Sequence, residues 1–252
     1  MAVKPDMADD SWVKYERLKC IVIRSVAVLG ILAFVAAYLL IVRPTMHKAE
    51  RRNVVNCVRQ ITLALGNYQD SFRQLPPPTF ITPDGQPAVS WRGAAAIFWE
   101  AGWRHEISLS DHWKSDRNRI ARIETPNVFC PSSYETRETH ILAVTGEGTV
   151  FGVGSLANSD AIVLVEARNS KTHWLEPGDI SVEDIPDNDT PVLHLPGIGE
   201  GEFVVGFADG AAWRLSTELP CSILKKLAIV SEAKKRNREQ LLAPYRVASQ
   251  GN

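Results

Sequence analysis

From Ser25 to Val42 the chain reads SVAVLGILAFVAAYLLIV, 18 residues without a charge, and the apolar run reaches back to Ile21 if Arg24 snorkels toward lipid headgroups. At 1.5 Å per residue this is just long enough to cross hydrocarbon about 30 Å thick, so residues 21–43 are predicted to form a transmembrane helix. A cleaved secretory signal is the competing reading. It is disfavoured because such signals carry an apolar core of about 7–15 residues, and because Arg43-Pro44 stands where small residues would mark a cleavage site. Lys4, Lys14, Arg17, Lys19 and Arg24 precede the span, and Arg43, Lys48, Arg51, Arg52 and Arg59 follow it. The flanking charges therefore leave the orientation open.

Beyond Pro44 the apolar positions Val54, Val58, Ile61, Leu65, Tyr68, Phe72 and Leu75 are spaced alternately by four and three, one stripe on a helix. Arg52, Asn56, Arg59, Gln60, Asn67, Asp70 and Arg73 fall between them and give the other face to water. A long amphipathic helix ending before Pro76-Pro77-Pro78 follows, with a core-facing stripe as the main reading and a self-associating coiled coil as the alternative. Residues 79–133 read as ordered connecting structure with short helices at Trp91–Ala101 and Ser115–Arg122. Strand signals cluster at Thr139–Val144, Ala161–Ala167, Phe203–Phe207 and Ala211–Leu215, and Asp209-Gly210 between the last two predicts a hairpin. Helix, irregular segment, then antiparallel strands predict an α+β domain in which the amphipathic helix packs on a small antiparallel sheet. A last helical stretch, rich in basic residues from Lys225 to Arg238, is expected to be a solvated face that frays into a tail, with lipid headgroup contact as the alternative.

Composition narrows the function classes. Of 252 residues, 45% are hydrophobic and 23% charged, the profile of a globular protein. A net charge of -1 gives no argument for nucleic-acid binding. The four cysteines include no C-x-x-C pair, so a ribbon-type zinc site has no support.

Candidate chemistry is sparse. Glu176, Asp179, Glu183, Asp184, Asp187 and Asp189 lie in a stretch without Lys or Arg; calcium is conceivable, but EF-hand spacing is missing and a solvated acidic loop is favoured. His173 and His194 flank that stretch and read as ordinary surface or core histidines. Gly152-Val153-Gly154-Ser155 lacks the nucleophile-elbow pattern, and Gly197-Ile198-Gly199-Glu200-Gly201 neither follows a clear strand nor opens a helix. Trp91, Trp99, Trp103, Trp113, Trp174 and Trp213 read as core fillers, with a ligand groove as the alternative. No catalytic residue, metal ligand or cofactor site is assigned, and the chain is expected not to be an enzyme.

Several short motifs occur in one order: Asn56-Cys57-Val58-Arg59-Gln60-Ile61, Leu75-Pro76-Pro77, Ser90-Trp91-Arg92, Trp113 with Ser115 and Asn118, Phe129-Cys130-Pro131-Ser132, and Ala143-Val144-Thr145-Gly146. Glu166, Trp174 with Glu176-Pro177 and Asp179, and Phe207-Ala208-Asp209-Gly210 continue the series. Together they resemble the bacterial pilin-like family catalogued as domain of unknown function 1559, also labelled solute-binding protein family 10. The resemblance covers roughly residues 51–227.

It implies a pseudopilin-like architecture: a cytoplasmic segment (1–20), a transmembrane helix (21–43), an exported pilin-like head (44–227) and a basic C-terminal helix and tail (228–252). The site would be the bacterial inner membrane, N-terminus in the cytoplasm. Two features depart from the family. Arg17-Leu18-Lys19-Cys20 stands where a prepilin processing signal would be, so a permanent anchor is expected. Gly199-Glu200-Gly201-Glu202 replaces a His- and Asn-containing run. Cys57 and Cys130 match family cysteines, and in an exported head they are expected to form a disulfide closing a 73-residue loop, worth about 4 kcal/mol. The implied role is a non-enzymatic interaction component of a secretion or pilus-like system or of the envelope. Its partners would be the bilayer through residues 21–43 and other envelope proteins, with self-association open. A membrane-anchored module binding a sugar or a cation is the alternative.

Overall fold

In the computed structural model of the chain, residues 9–130, 137–157 and 160–247 are described. The start of the expected cytoplasmic segment, Pro131-Ser132 of the Cys-Pro-Ser motif and the end of the expected tail lie outside the described residues. The chain divides into two compact units, Met1–Arg51 and Arg52–Asn252.

The first unit is helical. Helix α1 (Asp9–Ala37) passes through a π-helical turn, Tyr38–Val42, into α2 (Arg43–Phe72). Lys14–Val42 is long and apolar enough to cross a membrane, and none of its most apolar stretch is buried. Leu29, Phe34 and Leu40 are 65%, 75% and 77% exposed. Each such side chain left in water forgoes about 1.5–3 kcal/mol of burial, so hydrocarbon is the solvent this surface suits. The π turn was not predicted. Pro44 has no N–H to donate back to the preceding turn, and at its edge the Arg43 N–H reaches Tyr38 O, five residues back.

The second unit holds the core. The predicted stripe on α2 is buried at Val54, Val58, Ile61, Leu65 and Tyr68, joined by Cys57 and Ala64. The helix stops at Phe72, and Arg73 follows in a left-handed conformation (φ 62°). A short hairpin comes next, β1 (Thr79–Ile81) with β2 (Pro87–Ser90), turned at Gly85 (φ 83°) and closed by the Thr82 N–H on Gln86 O (2.8 Å). Helices α3 (Trp91–Trp99), α4 (Arg119–Ile123) and α5 (Val150–Val153) are short, with 3-10 turns at Ala101–His105 and Asp116–Asn118.

The main sheet contains β3 (Ile141–Thr145), β4 (Ile162–Glu166), β5 (Ile180–Ser181), β6 (Glu202–Phe207) and β7 (Ala212–Ser216) in the order β5-β3-β4-β6-β7. All neighbours are antiparallel except β3 and β5, which run parallel. The Asp209-Gly210 hairpin forms where predicted, with Gly210 at φ 85° and Phe207 N–H on Ala211 O. Helix α2 packs on β6 at Gly206: a Cβ there would lie 2.5 Å from Val58 Cγ1 and 3.2 Å from Leu164 Cβ. Glycine is therefore required by close approach of helix to strand.

The basic C-terminal stretch is not one solvated helix. It forms α6 (Cys221–Ala228), α7 (Val230–Ala233) and α8 (Arg238–Leu242), with Ala228, Ala233 and Leu242 fully buried. Arg238 pairs with Asp209 (2.6 Å) and Asp160 (3.2 Å) while its guanidinium lies over Phe207 and Trp213, 4.6 and 5.0 Å from the ring centres. Arg246 covers Trp213 at 4.3 Å, and Val247 N–H donates to Arg214 O (3.0 Å), which protects the edge of β7. Ring faces and carboxylates on the hairpin draw these cations in, a tertiary signal that local charge counting misses.

Candidate functional site

The motif residues scattered from 90 to 179 meet around one buried ion pair. Ser90 caps α3, its hydroxyl accepting from the Arg92 N–H (3.0 Å), and this fixes Trp91 and Arg92 pointing inward on the first turn. Both are fully buried. Arg92 spreads its fork over four acceptors: Nε donates to Trp174 O (2.8 Å), Nη2 to Glu176 O (2.8 Å) and Gly178 O (3.1 Å), and Nη1 to Asp179 Oδ1 (2.8 Å). Asp179 Oδ1 also accepts from Trp91 Nε1 (3.0 Å) and from the Ala143 N–H in β3 (2.9 Å). Arg92 is thereby the pin that holds loop 174–179 to α3, and Asp179 joins that loop to the sheet. Burial pushes the Asp179 carboxyl upward, while Arg92 and the three donors pull it back toward ionisation.

Asp179 is also part of the wall of a cleft of about 410 Å³. Leu142, Ile180 and Leu195 supply its apolar surface, and Asn169, Thr172 and Ser181 its neutral polar groups. Glu183, Asp184, Asp187 and Asp189 are exposed, as a solvated loop requires, Glu176 is half-buried, and the Asp179 side chain is only 5% exposed. Among the described residues no three His, Cys, Asp or Glu side chains converge where a metal ion could be held.

His173 is a half-buried, hydrogen-bonded histidine. The Leu175 N–H donates to its Nδ1 (3.1 Å), Nε2 lies 3.1 Å from Arg122 O, and its ring stacks on Trp113 with centres 4.8 Å apart. That pattern assigns the hydrogen to Nε2, and burial lowers the pKa of the ring. His194 is exposed. Trp91 and Trp174 are core residues; Trp174 donates to Ala121 O (2.8 Å) and stacks on Phe129 (5.8 Å). Gly152 lies in α5 where any Cβ would strike Gly146 O, so the Gly-Val-Gly-Ser run is a tight structural corner.

The expected disulfide is not present: Cys57 and Cys130 are both buried free thiols. Each sulfur faces a main-chain carbonyl, Cys57 Sγ at 4.0 Å from Asn127 O and Cys130 Sγ at 2.6 Å from Glu138 O. Burial pushes their thiols up to about 11 and about 12 respectively, so neither is a thiolate nucleophile near neutral pH. Cys221 is buried and Cys20 exposed.

The convergence of Arg92, Ala143, Trp174 and Asp179 could not be read from spacing, because the two sides of the ion pair are 87 residues apart. A charged residue two positions after the helix cap Ser90, between Trp91 and Gly93, was the available signal.

Residues 51–173 match the family described as "Protein of unknown function (DUF1559)", so this part of the chain is similar to that family. No curated protein and no solved structure matches the chain.

Proposed function

We propose that this protein is a single-pass inner-membrane protein that displays a pilin-like head outside the cytoplasm and acts, without catalysis, as an interaction component of an envelope or secretion assembly. The observation that carries this reading is the pairing of an unburied apolar helix, Lys14–Val42, with a second compact unit that has its own core. The similarity of residues 51–173 to a family of unknown function is compatible with that role. The order of elements in the head, a long helix laid on an antiparallel sheet, supports the pilin-like comparison, and the missing processing signal argues for an anchor that is retained.

Alkaline carbonate extraction of membranes tests the anchor. The protein should stay in the pellet, and replacing Leu29, Leu32 and Leu39 with Lys should release it. Extraction of the unmodified chain would refute the reading. Photo-crosslinking from exposed positions on the head, such as Leu63, should then trap envelope proteins, and crosslinks to cytoplasmic enzymes alone would refute the interaction role.

A further inference from the structure

Helix α1 carries its charge unevenly. Between Trp12 and Val42 the basic residues are Lys14, Arg17, Lys19 and Arg24, and the single acid is Glu16. Lys19 takes that acid, with Nζ 3.7 Å from Glu16 Oε1. Arg17 and Arg24 are exposed, and among the described residues neither has an ion pair.

The two arginines are seven residues apart, close to two full turns, so both fall on one face of the helix, about 10.5 Å apart along its axis. Lys19, two residues past Arg17, falls on the far side. Beyond Arg24 the same face continues as Val28, Ile31 and Val35 at steps of four, three and four, and these are 54%, 63% and 45% exposed. Two free guanidinium groups thus stand at the head of an apolar ridge. Arg24 already lies inside the apolar run that begins at Ile21, so its flexible stem carries its charge back toward the level of Arg17. In a bilayer that level holds lipid phosphate. A guanidinium pairs with two phosphate oxygens through parallel charge-assisted hydrogen bonds, and a headgroup with net negative charge gains more from two such cations than one whose own cation balances it.

We propose that this face holds one anionic phospholipid, with its phosphodiester between Arg17 and Arg24 and an acyl chain along Val28, Ile31 and Val35. The inference rests on the membrane reading above and names the class of lipid that the anchor selects. The gathering of both free arginines on one face distinguishes such a site from a diffuse attraction of net charge.

Native mass spectrometry of the full chain in detergent micelles tests it, with dioleoylphosphatidylglycerol and dioleoylphosphatidylcholine titrated separately. One phosphatidylglycerol should bind per chain, with a Kd at least about fivefold below that of phosphatidylcholine. The double variant Arg17→Gln/Arg24→Gln should bring the ratio below about twofold, and Lys19→Gln, a charge removed from the far side, should change it by less than about 1.5-fold. Equal Kd values for the two lipids overturn the proposal and leave the face to a second copy or to bulk lipid. It is equally overturned if the double variant keeps the preference, or if Lys19→Gln lowers it as much as the double variant, which would make it an effect of net charge alone. Carbonate extraction keeps the two readings apart: a chain that stays in the pellet yet shows no lipid preference overturns this proposal only, and a chain that is extracted overturns the anchor as well.

Discussion

Replacing Asp179 with Asn should destabilise the head more than any surface change, because it strips the counter-charge from Arg92 while keeping nearly the same shape. Arg92 and Asp179 side chains are 0% and 5% exposed, so water cannot take over the lost interaction. Breaking a buried pair from one side costs about 3–5 kcal/mol, and at about 2–4 °C per kcal/mol for a domain of this size the melting temperature should fall by roughly 6–20 °C. The asparagine Oδ1 can still accept from Trp91 and Ala143, so the loss isolates the charge. Thermal unfolding followed by circular dichroism, with the double variant Arg92→Met/Asp179→Leu alongside, measures it. Removing both charges should cost less than the sum of the single changes Arg92→Met and Asp179→Leu. The sign of the pH dependence follows from the raised carboxyl. The folded state binds more protons than the unfolded chain, so the Asp179 contribution falls as pH rises through the carboxylate range. Arg92→Met removes the main counterweight and should steepen that fall above the ordinary carboxylate range. A loss below about 1 kcal/mol for Asp179→Asn would refute the reasoning, since that is the scale of an exposed pair.

Gly206→Ala should cost about 1–3 kcal/mol by overpacking α2 against β6, and Val58→Ala in the same chain should recover part of it; simple additivity in denaturant unfolding would contradict the contact. In native protein Cys20 should react with maleimide rapidly, while Cys57 and Cys130, with thiols raised to about 11 and about 12, should react only on unfolding; equal rates for all three would show that the buried sites are open.

Much of the fold was legible because its signals are local. The α2 stripe, the Asp209-Gly210 hairpin and the strands β3, β4, β6 and β7 were predicted within a few residues, each from periodicity or turn chemistry. The β1–β2 hairpin escaped notice because its strands have three and four residues and an irregular register, too short for alternation to show. Strand β5 has two residues and exists only through its pairing with β3, a long-range contact with no local mark. The site was less legible. Asp179 read as one of six acids in a wet loop, and only the incoming Arg92 and Ala143 distinguish it. The cysteine pair was identified by resemblance, yet the carbonyls that face each sulfur belong to segments whose placement no spacing rule supplies.

The central claim, an anchored head on the far side of the membrane, is tested most directly by thiol labelling in intact cells. Asp187 is exposed on the head, and Cys57, Cys130 and Cys221 are buried, so Asp187→Cys places the one accessible thiol among the described head residues. An impermeant maleimide should label Asp187→Cys without lysis, and Cys20 only after it. Labelling of Asp187→Cys solely in lysed cells would put the head in the cytoplasm and contradict the account.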